Sequence, residues 1–117
     1  MHILICEDEH FIRRALAEHL AALQYEVSEV ENGVECVEFL SQTLPDLILM
    51  DLKMPKLGGY DTIAVIKEKK IEIPIILTSG FGDNEAVDAS YHHVRKPYRL
   101  NEVSDLIKTH FGEPRQK

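Results

Sequence analysis

Hydrophobic positions along the chain fall into two alternating kinds of pattern. Residues 3–6, 47–50 and 75–77 are short, continuous apolar runs rich in Ile and Leu, as strands covered on both faces should be. Residues 25–30 alternate more and suit an edge strand, and residues 92–95 supply a fifth. Between these runs the apolar residues recur at helical spacing: Phe11, Ile12, Ala15, Leu16, Leu20 and Leu23, then Val34, Val37 and Leu40. Ile63, Val65 and Ile66 mark a third helix, and Leu100, Val103, Leu106 and Ile107 a last one. Strand and helix thus alternate five times, with the fourth helix weak. That order predicts an α/β domain whose parallel sheet is covered by helices on both faces.

In such sheets ligands bind beyond the carboxyl ends of the strands, so the residues that follow each apolar run are the candidates for chemistry. Glu7, Asp8 and Glu9 follow the first run, and Asp51 follows the third. Thr78 and Ser79 follow the fourth, and Lys96, then Pro97, follow the fifth. A carboxylate closing a buried run is costly unless something uses it. Two like charges about 4 Å apart repel by roughly 4 kcal/mol at an effective dielectric near 20. Glu7, Asp8 and Asp51 therefore need Lys96, protons or a metal beside them. An all-oxygen site of this kind suits Mg²⁺. Lys96 can pair with Asp51 at rest and with a phosphoryl oxygen later, and Thr78 offers that oxygen a hydroxyl donor. The set fits phosphoryl transfer with a carboxylate as nucleophile. Glu9 reads as a helix N-terminal acid favoured by the macrodipole, and Phe11 and the methionines as core packing.

Composition narrows the field. At 117 residues the chain is one domain, with 44% apolar and 28% charged residues. The formal charge of −7 argues against non-specific nucleic-acid binding. No apolar run approaches a membrane span, and the first residues lack a signal-peptide layout, so the expected location is the cytoplasm. Cys6 and Cys36 match no metal motif and read as reduced, buried thiols. Residues 1–112 form the expected domain and 113–117 a tail.

ILICEDE at 3–9, PDLILMDLKMPKLGGYD at 45–61, IPIILTS at 73–79 and VRKPY at 94–98 together resemble the receiver domain of two-component response regulators, similar to the chemotaxis regulators. The resemblance covers essentially the whole chain. It implies a flavodoxin-like, doubly wound sheet of five strands in the order 2-1-3-4-5. It also implies phosphoryl transfer onto Asp51 from a histidine kinase or histidine phosphotransfer protein. Glu7, Asp8 and Asp51, with the backbone carbonyl of Lys53, would hold Mg²⁺. Thr78 and Lys96 would bind the phosphoryl oxygens, and the Lys96–Pro97 bond would be cis. Such a protein is a switch rather than a dedicated enzyme, although it catalyses its own modification. With no output domain expected after the last helix in this sequence, it would act through an output partner or belong to a larger protein.

Two rivals on related sheets fit less well. A flavodoxin needs a Ser/Thr/Gly-rich phosphate loop after the first strand, where this chain has Glu7-Asp8-Glu9. An aspartyl-phosphate phosphatase wants a second Asp two residues beyond its nucleophile, where Lys53 stands, and would place that nucleophile on the first strand. An unphosphorylated pseudo-receiver acting as a docking module is the remaining alternative.

The chain departs from the receiver pattern at two places, and a third pair of positions bears on the lifetime of the phosphoryl group. His93 occupies the position three residues before the lysine, where receivers carry a Tyr or Phe that reports phosphorylation. Tyr91 lies two residues too early to replace it. A weakened aromatic switch is therefore expected, with Thr78 and His93 as its parts. After the Gly80-Phe81-Gly82-Asp83 loop signals only residues 85–90 remain for a fourth helix, which predicts a short or mobile one. Finally, Lys53 and Gly80 occupy the positions that bias water attack on the phosphoryl group. Neither supplies a base, which predicts slow autodephosphorylation.

Overall fold

The computed structural model describes residues 1–80 and 87–114. Its elements are β1 (His2–Cys6), α1 (His10–Ala22), β2 (Glu26–Val30), α2 (Gly33–Leu40), β3 (Leu47–Asp51), α3 (Gly59–Glu68), β4 (Ile75–Ser79), β5 (His92–Arg95) and α4 (Leu100–His110). The five strands form one sheet in the order β2-β1-β3-β4-β5, with every pairing parallel. This is the predicted doubly wound topology.

Each central strand divides its side chains between two cores, because successive residues of a strand point to opposite faces. Ile3, Ile5, Leu47, Leu49 and Ile76 pack with Leu16, Leu20, Val103 and Ile107, under α1 and α4. Leu4, Cys6, Ile48, Met50, Ile75 and Leu77 pack with Cys36, Leu40, Ile63 and Ile66, under α2 and α3. The continuous apolar runs follow directly: a strand with a core on each side has no polar face. Each large side chain so buried contributes about 1.5–3 kcal/mol. β2 lies at one edge of the sheet and carries the more polar alternation expected there.

Phe11 is a correction. It was expected in the core, but it is 87% exposed, and Val34 is also exposed. The buried stripe of α1 runs through Leu16, Ala17 and Leu20. Ile12 is in phase with that stripe at four-residue spacing, whereas Phe11 sits on the opposite side of the helix. Its ring instead meets His10 edge-on, 5.6 Å between centroids.

Among the described residues no helix lies between β4 and β5. Four of the six residues assigned to a short fourth helix, 85–90, can be described. Glu85 and Ala86 lie outside the described residues, while 87–90 are not helical and lead into a turn closed by the Tyr91 N–H donating to the Asp88 carbonyl at 3.2 Å. The Asp88 carboxylate accepts from the Ser90 N–H and hydroxyl at 2.9 and 2.7 Å. The Asp88 N–H in turn donates to the Tyr60 hydroxyl at 2.8 Å, which ties the turn to α3. At the end of the chain, Tyr25 donates its hydroxyl to the Gly112 carbonyl and the Met1 amino group donates to the Pro114 carbonyl.

The return from β3 to α3 shapes the rim of the sheet where the carboxylates gather. Gly58 caps α3 with ordinary extended dihedrals, so conformational freedom is not what that position requires. Space is the requirement at Gly59: a Cβ there would stand 2.6 Å from the Asp51 carbonyl oxygen. The glycine lets α3 start directly against the end of β3, and its N–H donates to the Leu52 carbonyl at 2.9 Å.

Candidate functional site

Asp51 is the last residue of β3, and its register partner on β4 is Thr78. Glu7 and Asp8 immediately follow β1, the neighbour of β3 on its other side. Lys96 follows β5, and its N–H donates to the Ser79 carbonyl at 2.7 Å, extending the β4–β5 ladder by one step. As expected, the Lys96–Pro97 peptide bond is cis. Parallel pairing thus delivers the ends of β1, β3, β4 and β5 to one rim, and with them the residues singled out from the sequence.

Glu7 and Asp51 are each only 3% exposed, whereas Asp8 is open to solvent. One carboxylate oxygen from each of Glu7, Asp8 and Asp51 lies within 4.8 Å of the others. The Lys96 ammonium stands 2.5 Å from Glu7 Oε1 and 3.2 Å from Asp51 Oδ2. Asp51 is therefore one of two partners of Lys96, and Glu7 is the nearer. Backbone donors complete the shell. The Glu9 N–H reaches Glu7 Oε2 at 3.0 Å, and the Lys53 N–H reaches Asp51 Oδ1 at 3.3 Å.

One ammonium does not neutralise two buried carboxylates. Burial and the charge of Asp51 push the Glu7 carboxyl up to about 7, against the opposing pull of Lys96 and the Glu9 N–H. Asp51 is raised as well, chiefly by burial, although Lys96, Glu7 and the Lys53 N–H all act to lower it. Burial acts to lower the Lys96 ammonium, but hydrogen bonding to Glu7 and the charges of Asp51 and Glu7 outweigh it and bring it up to about 12. Near neutral pH the rim therefore holds a fixed cation and a carboxylate pair with excess negative charge. Oxygen donors only, two of three of them buried, with negative charge in surplus, fit a small hard dication.

The remaining candidates fall around this centre. Thr78 is buried at the end of β4 beside Asp51. Lys53 joins through its backbone. Gly80 lines a cleft of about 430 Å³ together with Glu9, Ile12, Lys96, Pro97 and Tyr98. His93 does not reach the carboxylates; its Nε2 is 2.6 Å from the Ser79 hydroxyl. Sequence reasoning missed that pairing, although Ser79 already stood among the strand-end residues. It also missed Tyr98, whose phenol is raised to about 12 by burial and then by the charge of Glu7.

The sequence profile of the response regulator receiver domain matches residues 3–108. The chain belongs to the response regulator receiver family. It is 38% identical over 111 residues to the transcriptional regulatory protein PdtaR of Mycobacterium tuberculosis, a match covering 90% of this chain and 52% of that protein. The receiver thus spans about half the length of that relative. Sporulation initiation phosphotransferase F of Bacillus subtilis is 29% identical over 114 residues, covering 91% of this chain and 90% of that one. Among solved structures, the receiver domain of a signal transduction histidine kinase from Syntrophus aciditrophicus superposes with a TM-score of 0.80. It is 31% identical, over 92% of this chain and 87% of that one. The receiver fold and its acidic pocket are accordingly those of two-component signalling proteins. Among the described residues no helix is long and apolar enough to cross a membrane.

Proposed function

We propose that this receiver is a phosphoacceptor: Asp51 takes a phosphoryl group from a phosphohistidine on a histidine kinase or phosphotransfer protein, with Mg²⁺, and the change alters binding to an output partner. The single observation that carries this reading is the placement of Asp51, buried at the end of β3. The Lys96 ammonium is 3.2 Å from it, and two further carboxylates lie within 4.8 Å. The phosphotransferase relative, matched over nine-tenths of both chains, supports the same chemistry. We place the phosphorylatable unit at residues 1–112, in the cytoplasm, with 113–117 as a tail.

The residues divide the work. An Asp51 oxygen attacks phosphorus while its other oxygen is held by the Lys53 N–H or by Lys96. Lys96 then follows the phosphoryl oxygens, and the Thr78 hydroxyl on the adjacent strand donates to them, so that charge spreading onto those oxygens meets fixed donors. Glu7, Asp8, Asp51 and the Lys53 carbonyl would hold Mg²⁺, which when bound neutralises carboxylate and phosphoryl charge together. Without it, an incoming phosphate would face the surplus negative charge of Glu7 and Asp51.

Intact mass after incubation with Mg²⁺ and either acetyl phosphate or a phosphohistidine protein tests the reading, with Asp51→Asn alongside. One phosphoryl adduct in the wild type alone, abolished by EDTA, is the expected result. A folded, Mg²⁺-binding protein that takes no adduct from either donor would instead be a pseudo-receiver serving as a docking module.

A further inference from the structure

Glu9 is the N-cap residue of α1, yet its side chain makes no hydrogen bond to the first turn of that helix. Glu9 lines the 430 Å³ cleft that shares Lys96 with the carboxylate site. Tyr98 also lines it, and its phenol feels the charges of Glu7, Lys96 and Asp51 and, after them, that of Glu9. The other lining residues are Ile12, Pro97 and Gly80, which are apolar or small. A cleft lined by apolar residues, one acidic residue and the lysine of the carboxylate site matches a flat, cationic ring carrying a phosphoryl group.

We propose that Glu9 orients the donor's imidazole in this cleft, its carboxylate accepting the hydrogen bond from the ring N–H that does not bear phosphorus. The inference rests on the phosphoacceptor reading and adds a donor-recognising residue to it. The reacting donor is the phosphoimidazolium, protonated on the ring nitrogen remote from phosphorus. The Asp51 oxygen forms the new O–P bond as the N–P bond breaks, and that electron pair returns to the ring. The imidazole leaves neutral, keeping the proton that Glu9 has held. Charge balances without a further acid or base. Of the lining side chains, Ile12 and Pro97 offer no acceptor and Lys96 only donates. The Tyr98 hydroxyl is the one neutral alternative. An N–H enclosed between apolar walls without an acceptor would be left unsatisfied, and hydrogen bonds to charged groups are the stronger ones.

The test compares two small donors, phosphoimidazole and acetyl phosphate, on wild type, Glu9→Gln, Glu9→Ala and Tyr98→Phe at one Mg²⁺ concentration. Acetyl phosphate has no ring N–H, so it reports any general effect of Glu9 on the metal or on the fold. The expected outcome is a loss of about tenfold or more in the phosphoimidazole rate constant for Glu9→Ala, a smaller loss for Glu9→Gln, and acetyl phosphate rates within about twofold. Equal losses on both donors, no loss on either, or a donor-selective loss in Tyr98→Phe instead would overturn the role of Glu9 while leaving Asp51 as acceptor. A wild type that takes phosphate from neither donor would remove the phosphoacceptor reading itself.

Discussion

The imidazole Nε2 of His93 lies 2.6 Å from the hydroxyl of Ser79, the residue after Thr78. His93 stands where the resemblance to receivers leads to the expectation of a Tyr or Phe, and it is tied by a hydrogen bond to the end of the strand that presents Thr78. On this reading, movement of Thr78 on phosphorylation must strain or break a polar contact rather than open space for a ring. If so, His93→Tyr should widen the difference in partner affinity between phosphorylated and unphosphorylated protein. Titrations of the output partner against both forms would check this, and an unchanged difference would remove His93 from the switch.

The same histidine carries a pH signature. Burial, and then the charge of Arg95, lower its pKa below the usual 6.5. As pH falls through 6.5 the unfolded chain takes up a proton that the folded ring resists. The contribution to stability is therefore present above 6.5 and is lost below it. His93 is part-exposed, so the effect should be small. Urea melts between pH 7 and pH 5 should fall less steeply for His93→Gln than for wild type.

Glu7 predicts the opposite slope. With its folded pKa near 7 against 4.5 unfolded, the folded state holds a proton that the unfolded chain has already released. Metal-free stability should therefore decline as pH rises from 4.5 to 7, by on the order of 3 kcal/mol, and level off above. Glu7→Gln removes this slope at the expense of one Lys96 contact. In EDTA at pH 8 it should gain about 1–3 kcal/mol while binding Mg²⁺ more weakly. A variant less stable than wild type at pH 8 without metal would contradict the buried charge surplus.

Lys96 is the only cation within salt-bridge distance of the Glu7–Asp51 pair among the described residues. Lys96→Ala leaves two buried carboxylates unpaired, a class of change that costs about 3–5 kcal/mol. Mg²⁺ should restore more stability to this variant than it adds to wild type, because the charge it meets is larger. Melting temperatures with and without Mg²⁺ would reveal the difference, and equal increments would argue that the carboxylates protonate instead.

What could be read from the sequence was what periodicity encodes. The runs 47–50 and 75–77 had no polar face because cores lie on both sides of them. Once the sheet was parallel, Glu7, Asp51, Thr78 and Lys96 had to arrive at one rim. What could not be read was side-chain direction at element ends. Phe11 belongs to a helix but lies off its buried stripe, and one residue of helical phase decides that. Glu9 looked like a helix-start acid, yet its side chain makes no cap hydrogen bond and the residue lines the cleft. The Ser79–His93 contact joins β4 to β5 across fourteen residues of sequence, so no local pattern announces it.

Gly59 sets how closely α3 approaches the site. A methyl at this position would stand 2.6 Å from the Asp51 carbonyl oxygen and 2.8 Å from the Leu52 Cα, both backbone atoms that cannot swing aside. Gly59→Ala should therefore shift the end of β3, cost roughly 1–3 kcal/mol and slow phosphorylation of Asp51 out of proportion to its effect on folding. Rates measured on fully folded protein, with acetyl phosphate in excess, would separate the two effects. A normal rate in a destabilised protein would mean that the loop moves and the strand end does not.

Loss of the phosphoryl group should be slow. The two positions that flank Asp51 and Thr78 at the mouth of the site are Lys53 and Gly80. An ammonium side chain offers no acceptor for a proton of an attacking water, and a glycine offers no side chain at all. Hydrolysis would then depend on a water that neither of these two residues orients through its side chain. Lys53→Asn supplies an amide that can hold such a water, and Gly80→Glu supplies a carboxylate that can both hold it and draw its proton. Each should shorten the lifetime of the acyl phosphate, Gly80→Glu by the larger factor, within the roughly 10²-fold that positioned acid–base groups begin to contribute. The decay of the phosphorylated mass after removal of the donor measures it directly. Unaltered decay in both variants would place control of the lifetime elsewhere, with access to Asp51 past Lys96 as the next feature to test.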